Sequence, residues 1–392
     1  MFEFLSFYGL LALTHLFNQI NFSHREYLNS FKDKDQFKQF PTVAIVIPAY
    51  NEGIEDLENC VRAAASQDYP NEIKVIVVDD GSKAKSAFNN LRDIFKDNER
   101  VVLREFKENK GKRHAQKFGF DYVDENFEII VTIDSDTVLA KDSVYHLVQK
   151  FSNPKIGAIT GDVRAFKTTF LTKLIDARYW TAFHQERAAQ SLFGTVLCCS
   201  GPLAAYRSSI IKKVKEKYIS QMFLGERCTY GDDRHLTNLV LEQGYAVRFE
   251  RKAKALTYVP QKLRPWLRQQ ARWNRSFYRE LLWTVKRVIS KRNYQSIYMV
   301  YDLAMQTVLP FLLLMSLILV FIMSVHEGPS HLFGYITVLV GIAIIRGTYA
   351  YIRTHDKVFF LFPFYAFCHI FLLIPVRMYA LCTLKTTKWG TR

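Results

Sequence analysis

A chain of 392 residues that is 49% hydrophobic and 15% aromatic is too apolar for a disordered protein and long enough for two or three domains. Its 53 basic side chains against 37 acidic ones leave a net charge of +16, which suits a cytosolic face on anionic lipid and a site for anionic substrates. No zinc-finger spacing or aromatic RNA-binding motif points to nucleic acid. Six scattered cysteines, with Cys198 and Cys199 adjacent, match no disulfide framework or zinc site and place the soluble part in a reducing, cytosolic compartment.

Residues 1–22 are apolar and aromatic, without a basic start or a small-residue cleavage site, so a retained transmembrane or interfacial helix is expected there rather than a signal peptide. The Lys-rich stretch after it belongs on the cytosolic side. Residues 40–260 then carry an α/β pattern. Residues 43–48 are a continuous apolar run, as a strand buried on both faces requires, and Leu57, Val61, Ala64 and Ala65 recur at helical spacing. A second strand, 73–78, ends in Asp79-Asp80-Gly81-Ser82. A third covers 101–104, Asn109-Lys110-Gly111-Lys112-Arg113 opens a helix, and a fourth strand, 128–133, ends in Asp134-Ser135-Asp136. Strands alternating with helices predict a parallel sheet, and ligands bind such sheets beyond the carboxyl ends of the strands. Acids occupy two of those ends.

Residues 167–193 predict one amphipathic helix, lying either on the membrane interface or on the surface of the soluble domain. Ser200-Gly201-Pro202-Leu203 is a turn whose glycine permits close backbone approach to a ligand. Gly231-Asp232-Asp233-Arg234-His235 sets two carboxylates at a helix start, and neighbouring carboxylates resist joint ionisation, which suits one of them to act as a base. Cys228, close by, is either beside a substrate or a small buried residue. Residues 245–258 read as strand. Residues 261–300 hold a basic, aromatic-rich helix with Gln269-Gln270-Ala271-Arg272-Trp273, expected at the membrane interface. Within 305–384, segments 307–325, 332–352 and 358–384 are long enough to span a bilayer. Arg346 in the second either lines a polar cavity or snorkels; Pro363 and Pro375 should bend the third. Residues 385–392 are a short basic tail.

These residues suit sugar transfer from a nucleotide diphosphate. Asp-x-Asp after a buried strand fits Mg²⁺ or Mn²⁺, with Asp136 the direct ligand and Asp134 a ribose or supporting partner. Asp80 suits uridine. Asp233 is the expected base, oriented by Asp232. Arg272 suits the diphosphate by bidentate pairing, and Trp273 a stacked sugar ring.

Together, and in this order, the five motifs around Asp80, Asp134, Ser200, Asp233 and Arg272 resemble those of the processive family-two glycosyltransferases, over nearly the whole chain from residue 43. That resemblance implies an α/β GT-A (Rossmann-like) cytosolic domain, amphipathic interface helices and transmembrane helices. It also implies UDP-sugar donors, a divalent metal, inverting transfer, and substrate binding by Lys112, Arg113, Ser200, Gly201, Gln269 and Gln270. Within the group the chain looks most like hyaluronan synthases: Asn109 to Arg113, the Gly-Asp-Asp form at Gly231 and the ending Trp389-Gly390-Thr391-Arg392 are similar to theirs. The last motif implies a gating tail in which Trp389 and Arg392 contact the nucleotide. Rhizobial chitin-oligosaccharide synthases resemble it too, through His235-Leu236-Thr237 and a single N-terminal segment. The expected protein is a multi-pass plasma-membrane enzyme in contact with membrane lipids, functional as a monomer, that takes UDP-N-acetylglucosamine and UDP-glucuronate and passes the growing polysaccharide through a channel roofed by the interfacial helices. A membrane transport or binding protein that only senses nucleotide is the alternative from another class; Arg346 favours it, and the complete acidic motifs oppose it.

Overall fold

The computed structural model describes residues 2–31, 37, 39–123 and 126–387. Ten strands form in chain order: β1 Val43–Ala49, β2 Ile73–Asp79, β3 Val101–Glu105, β4 Ile129–Thr132, β5 Thr137–Leu139, β6 Ile156–Ala165, β7 Ala204–Arg207, β8 Met222–Phe223, β9 Glu226–Arg227 and β10 Ala246–Thr257. Eight of them make one sheet in the order β3-β2-β1-β4-β7-β6-β10-β5, and β8–β9 is a separate hairpin. All seven β1 residues are buried, as the run of apolar residues requires of a strand covered by helices on both faces.

The sheet is mixed, which corrects the all-parallel expectation. The four expected strands β1 to β4 do run parallel where they pair. Beyond them β7 lies antiparallel between β4 and β6, and β5 antiparallel on β10. β6 and β7 escaped the sequence analysis because Ala204 to Arg207 is four residues long and follows a turn, while β6 carries Thr160, Asp162 and Arg164 among its apolar residues.

Among the described residues three helices are long and apolar enough to cross a membrane: Tyr298–Glu327, Ser330–Thr354 and Lys357–Cys382. The first helix of the chain runs Phe2–Ser30, beyond the 1–22 expected, and packs against the first two of these. In the third, Pro363 sits in the first turn of Phe362–Cys368, where a missing N–H costs little, and Pro375 directly follows the π-helical turn His369–Leu373, in the first turn of Ile374–Cys382. The single helix expected over 167–193 is Phe170–Thr181, a π-helical turn Ala182–Arg187, and Ala188–Leu192. It packs on β6, with Leu174, Ile175, Ala177 and Trp180 buried. The Leu263–Thr284 helix joins the two parts of the molecule. Phe277 and Tyr278 enter the core of the sheet, while Trp266 packs with Ile175 and with Leu373 of the third span.

Candidate active site

β1 lies between β2 and β4, so the loops leaving these three strands meet at one edge of the sheet, where the strand order reverses and open α/β sheets bind ligands. Side chains tie the loops together. The Asn51 N–H donates to the Ser82 hydroxyl oxygen at 2.8 Å, and the Ser135 hydroxyl donates to Glu52 at 2.8 Å. Asp80 is buried and accepts three bonds from the next loop: Lys110 N (2.8 Å), Gly111 N (2.9 Å) and Asn109 Nδ2 (3.0 Å). Burial raises its carboxyl and these donors pull it back only in part. Asp80 thereby sets the turn from which the Lys112–Tyr122 helix starts.

Lys112 is the cation on which the acids converge. Its ammonium lies 2.6 Å from Asp134 Oδ1 and 2.9 Å from Asp232 Oδ2. Burial alone would lower it; the two carboxylates outweigh that and hold it protonated. Asp232 is likewise opposed by burial but kept below the usual carboxylate range by Lys112. Among the described residues Asp233 has no such ion pair. Burial pushes its carboxyl up and the charge of Asp232 adds to the shift. One acid of the pair is thus ion-paired with Lys112 and the other carries the raised carboxyl.

Asp233 is held by its own helix turn and by the loop before β7. Arg234 N donates to Oδ1 at 2.8 Å, and the Cys198 thiol lies 3.5 Å from Oδ2. Burial pushes that thiol up to about 12, so it stays a donor. The same loop brings Gly201 against Asp134: a Cβ at that position would sit 3.1 Å from Oδ2, so the glycine leaves room for that carboxylate. Ser200 N donates to Thr160 Oγ1 at 3.0 Å. Gly231, at φ +81°, lets the Asp232–Glu242 helix start hard against the Leu263–Thr284 helix; a Cβ there would come 2.0 Å from Ser276 Oγ. Glu280 locks the same contact, accepting from Asn238 Nδ2 at 2.8 Å with His235 Nδ1 at 3.2 Å. His235 is therefore a buried tie between helices.

Gln269, Gln270, Arg272 and Trp273 lie on the Leu263–Thr284 helix. Trp273 is 41% exposed, available to a ligand, and its ring is 6.5 Å from that of Tyr179. Burial raises the Tyr179 phenol, Asp136 and Asp134 raise it further, and Arg187 and Arg272 oppose them. Tyr179, Cys198 and Thr237 were not among the site residues expected from the sequence. Asp136 accepts from the Thr257 hydroxyl at 3.2 Å. Among the described residues no group of three His, Cys, Asp or Glu side chains could hold a metal unaided. Asp136 offers a hard oxygen donor, which fits a small divalent cation whose shell is completed by phosphate and water.

Arg113 stands differently from expectation. It is buried, donates to the carbonyls of Tyr218 (3.2 Å) and Tyr230 (3.0 Å), and so braces the loop that enters Gly231. Trp389 and Arg392 lie outside the described residues, but the chain leading to them is anchored beside the acids. Arg279 donates to the carbonyls of Leu384 (2.9 Å) and Thr386 (2.8 Å), and the Thr229 hydroxyl to that of Thr387.

Comparison with known proteins agrees with this geometry. Residues 44–215 match the family described as Glycosyl transferase family 2. The chain is 38% identical over 355 residues to an N-acetylglucosaminyltransferase of Rhizobium sp. (strain N33), covering 90% of this chain and 77% of that one. It is 36% identical over 396 residues to a hyaluronan synthase of Streptococcus pyogenes, covering 98% and 90%. Its fold is similar to that of a mannosyltransferase from Pyrobaculum calidifontis solved with GDP-Man and Mn²⁺ (TM-score 0.65, 16% identity, 99% of this chain and 100% of that one). With ordered acids at the strand ends and relatives matched along 77% and 90% of their length, the chain belongs to glycosyl transferase family 2, a hexosyltransferase whose α/β GT-A domain is joined to helices long enough to span a bilayer.

Proposed function

We propose that the protein is a processive hyaluronan synthase of the plasma membrane, its GT-A domain cytosolic, using UDP-N-acetylglucosamine and UDP-glucuronate in alternation. The observation that carries the chemistry is the split of the acid pair, with Asp232 bound to Lys112 and Asp233 raised beside it. Asp233 takes the proton from the acceptor hydroxyl, whose oxygen attacks the anomeric carbon from the face opposite the departing UDP and inverts it. Arg272 holds the diphosphate, Trp273 stacks on a sugar ring, and Asp80 with the 109–112 loop faces the uridine. Asp136, with Asp134 in support, would hold Mg²⁺ or Mn²⁺ jointly with the diphosphate, and the ion would supply charge neutralisation of the leaving group. A monomer in lipid suffices for this scheme.

The synthase reading rests on the streptococcal relative, which the chain covers for 90% of its length. The rhizobial N-acetylglucosaminyltransferases support a second reading, transfer from UDP-N-acetylglucosamine alone. Purified protein given both labelled UDP-sugars and metal should make a polymer that hyaluronidase degrades. Polymer from UDP-N-acetylglucosamine alone moves the assignment to chitin-type synthesis, and no UDP release with either donor ends both.

A further inference from the structure

Asp302 lies on the Tyr298–Glu327 helix, outside the sheet domain, and is 1% exposed. A carboxyl in such a place is costly unless it is used. Two amides converge on its Oδ2, Gln306 Nε2 and Gln190 Nε2, each at 2.7 Å. Gln190 is itself buried, and its other end, Oε1, accepts the backbone N–H of Leu197 at 3.2 Å. The next residues are the ones that reach the catalytic acids. The Cys198 thiol donates to Asp233 Oδ2, and Cys199 N donates at 2.8 Å to Thr237 Oγ1, which in turn donates at 2.7 Å to the carbonyl of Asp233.

An amide side chain has one donating and one accepting end, and nothing in its shape decides which way it faces. At Gln190 the acceptor Asp302 decides. With the carboxylate on one side, the NH₂ must face it and the oxygen must face Leu197. Without that acceptor the Leu197 N–H alone orients Gln190, and the bond that ties the loop steadying Asp233 to this helix is lost.

We propose that Asp302 is a positioning residue for transfer: by orienting Gln190 it holds the 197–199 loop, and through it the base, in register with a helix of the membrane-spanning part. The proposal rests on Asp233 being the base. Asp302→Asn should be nearly silent, because both donors converge on one oxygen that an asparagine retains. Asp302→Leu should lower kcat by up to about 10²-fold, the cost of a displacement of about 1 Å at a reacting group, with the KM for UDP-sugar unchanged. Gln190→Leu should give the same loss, and the double variant no more than either alone, since both cut one link.

The assay is UDP release by purified full-length protein in nanodiscs, with Asp233→Asn run in parallel. Wild-type turnover in Asp302→Leu, additive losses in the double variant, or an equal loss of turnover and donor binding would each overturn the positioning role. Normal turnover in Asp233→Asn would instead remove the base assignment itself.

Discussion

Replacing Lys112 with methionine should do more damage than removing any surface lysine, and should shift the pH profile in a stated direction. The ammonium lies 2.6 Å from Asp134 and 2.9 Å from Asp232, with side-chain exposures of 22% for the lysine and 29% and 9% for the acids. Exposed pairs contribute about 0–1 kcal/mol, whereas removing one partner of a buried pair costs about 3–5 kcal/mol. The exposures place this cluster nearer the second case, at about 3 kcal/mol, roughly a hundredfold in the folding equilibrium. Asp232 is held down by Lys112, so its contribution to stability is present above the ordinary carboxylate range and lost as pH falls through its depressed value. Asp233 must be ionised to take a proton, so its raised carboxyl sets the acid limb of kcat. Without Lys112 both acids lose a stabilising cation, and the limb moves to higher pH. Asp232→Asn removes the like charge beside Asp233, and the limb moves to lower pH. The measurements are thermal unfolding in detergent and UDP release from pH 4 to 9. A limb that stays in place in Lys112→Met, or moves the same way in both variants, refutes the electrostatic account of the site.

Asp233→Asn should reduce turnover about 10²–10⁴-fold, the usual worth of a general base, while labelled UDP still binds; near-normal turnover removes Asp233 from its role. Gly231→Ala should destabilise the protein by about 1–2 kcal/mol through its left-handed backbone alone, and further through the clash with Ser276; Ser276→Ala should relieve the second part, read as a partial recovery of unfolding temperature. Arg279→Met frees the carbonyls of Leu384 and Thr386 and should raise the KM for donor more than it lowers kcat. Chelation should abolish UDP release, and Mn²⁺ or Mg²⁺ in excess should restore it; activity that survives exhaustive chelation argues against metal at Asp136.

What could be read in the sequence was what topology dictates locally. Ile73 to Val78 and Glu128 to Ile133 declare buried strands by composition, and the acids that follow them are at strand ends whatever the rest of the chain does. Helix starts at Lys112 and Asp232 were legible from Gly111 and Gly231. What could not be read depends on pairing across long separations. Nothing near Lys112 signals that Asp134 and Asp232 will both reach it. Arg113, one residue on, faces the other way round the helix and meets two backbone carbonyls; adjacent helical positions do not share a face, so a motif quoted as Lys-Arg mixes one residue that meets the acids with one that braces a loop.

Arg346 makes the same point inside the helices that can span a bilayer. Sequence alone offered two ways to lower the cost of a guanidinium there, a polar cavity or a reach toward water. The structure turns it inward: Nη2 donates to Gln19 of the first helix at 3.4 Å, and Nη1 is 4.0 Å from Glu186. Glu186 is also gripped by Arg178, at 2.9 Å, so one carboxylate serves two guanidinium groups and the cluster keeps an excess positive charge. Glu186 lies in the π-helical turn Ala182–Arg187, and such turns shift the face a helix presents at functional positions. On the same short turn, Arg187 Nε donates to the carbonyl of Cys198 at 3.0 Å, the residue whose thiol meets Asp233. One local distortion thus gives neighbouring side chains opposite duties, one toward the spanning helices and one toward the acids. A chain that lost the extra residue of that turn would rotate everything before it by about 100° and could keep only one of the two.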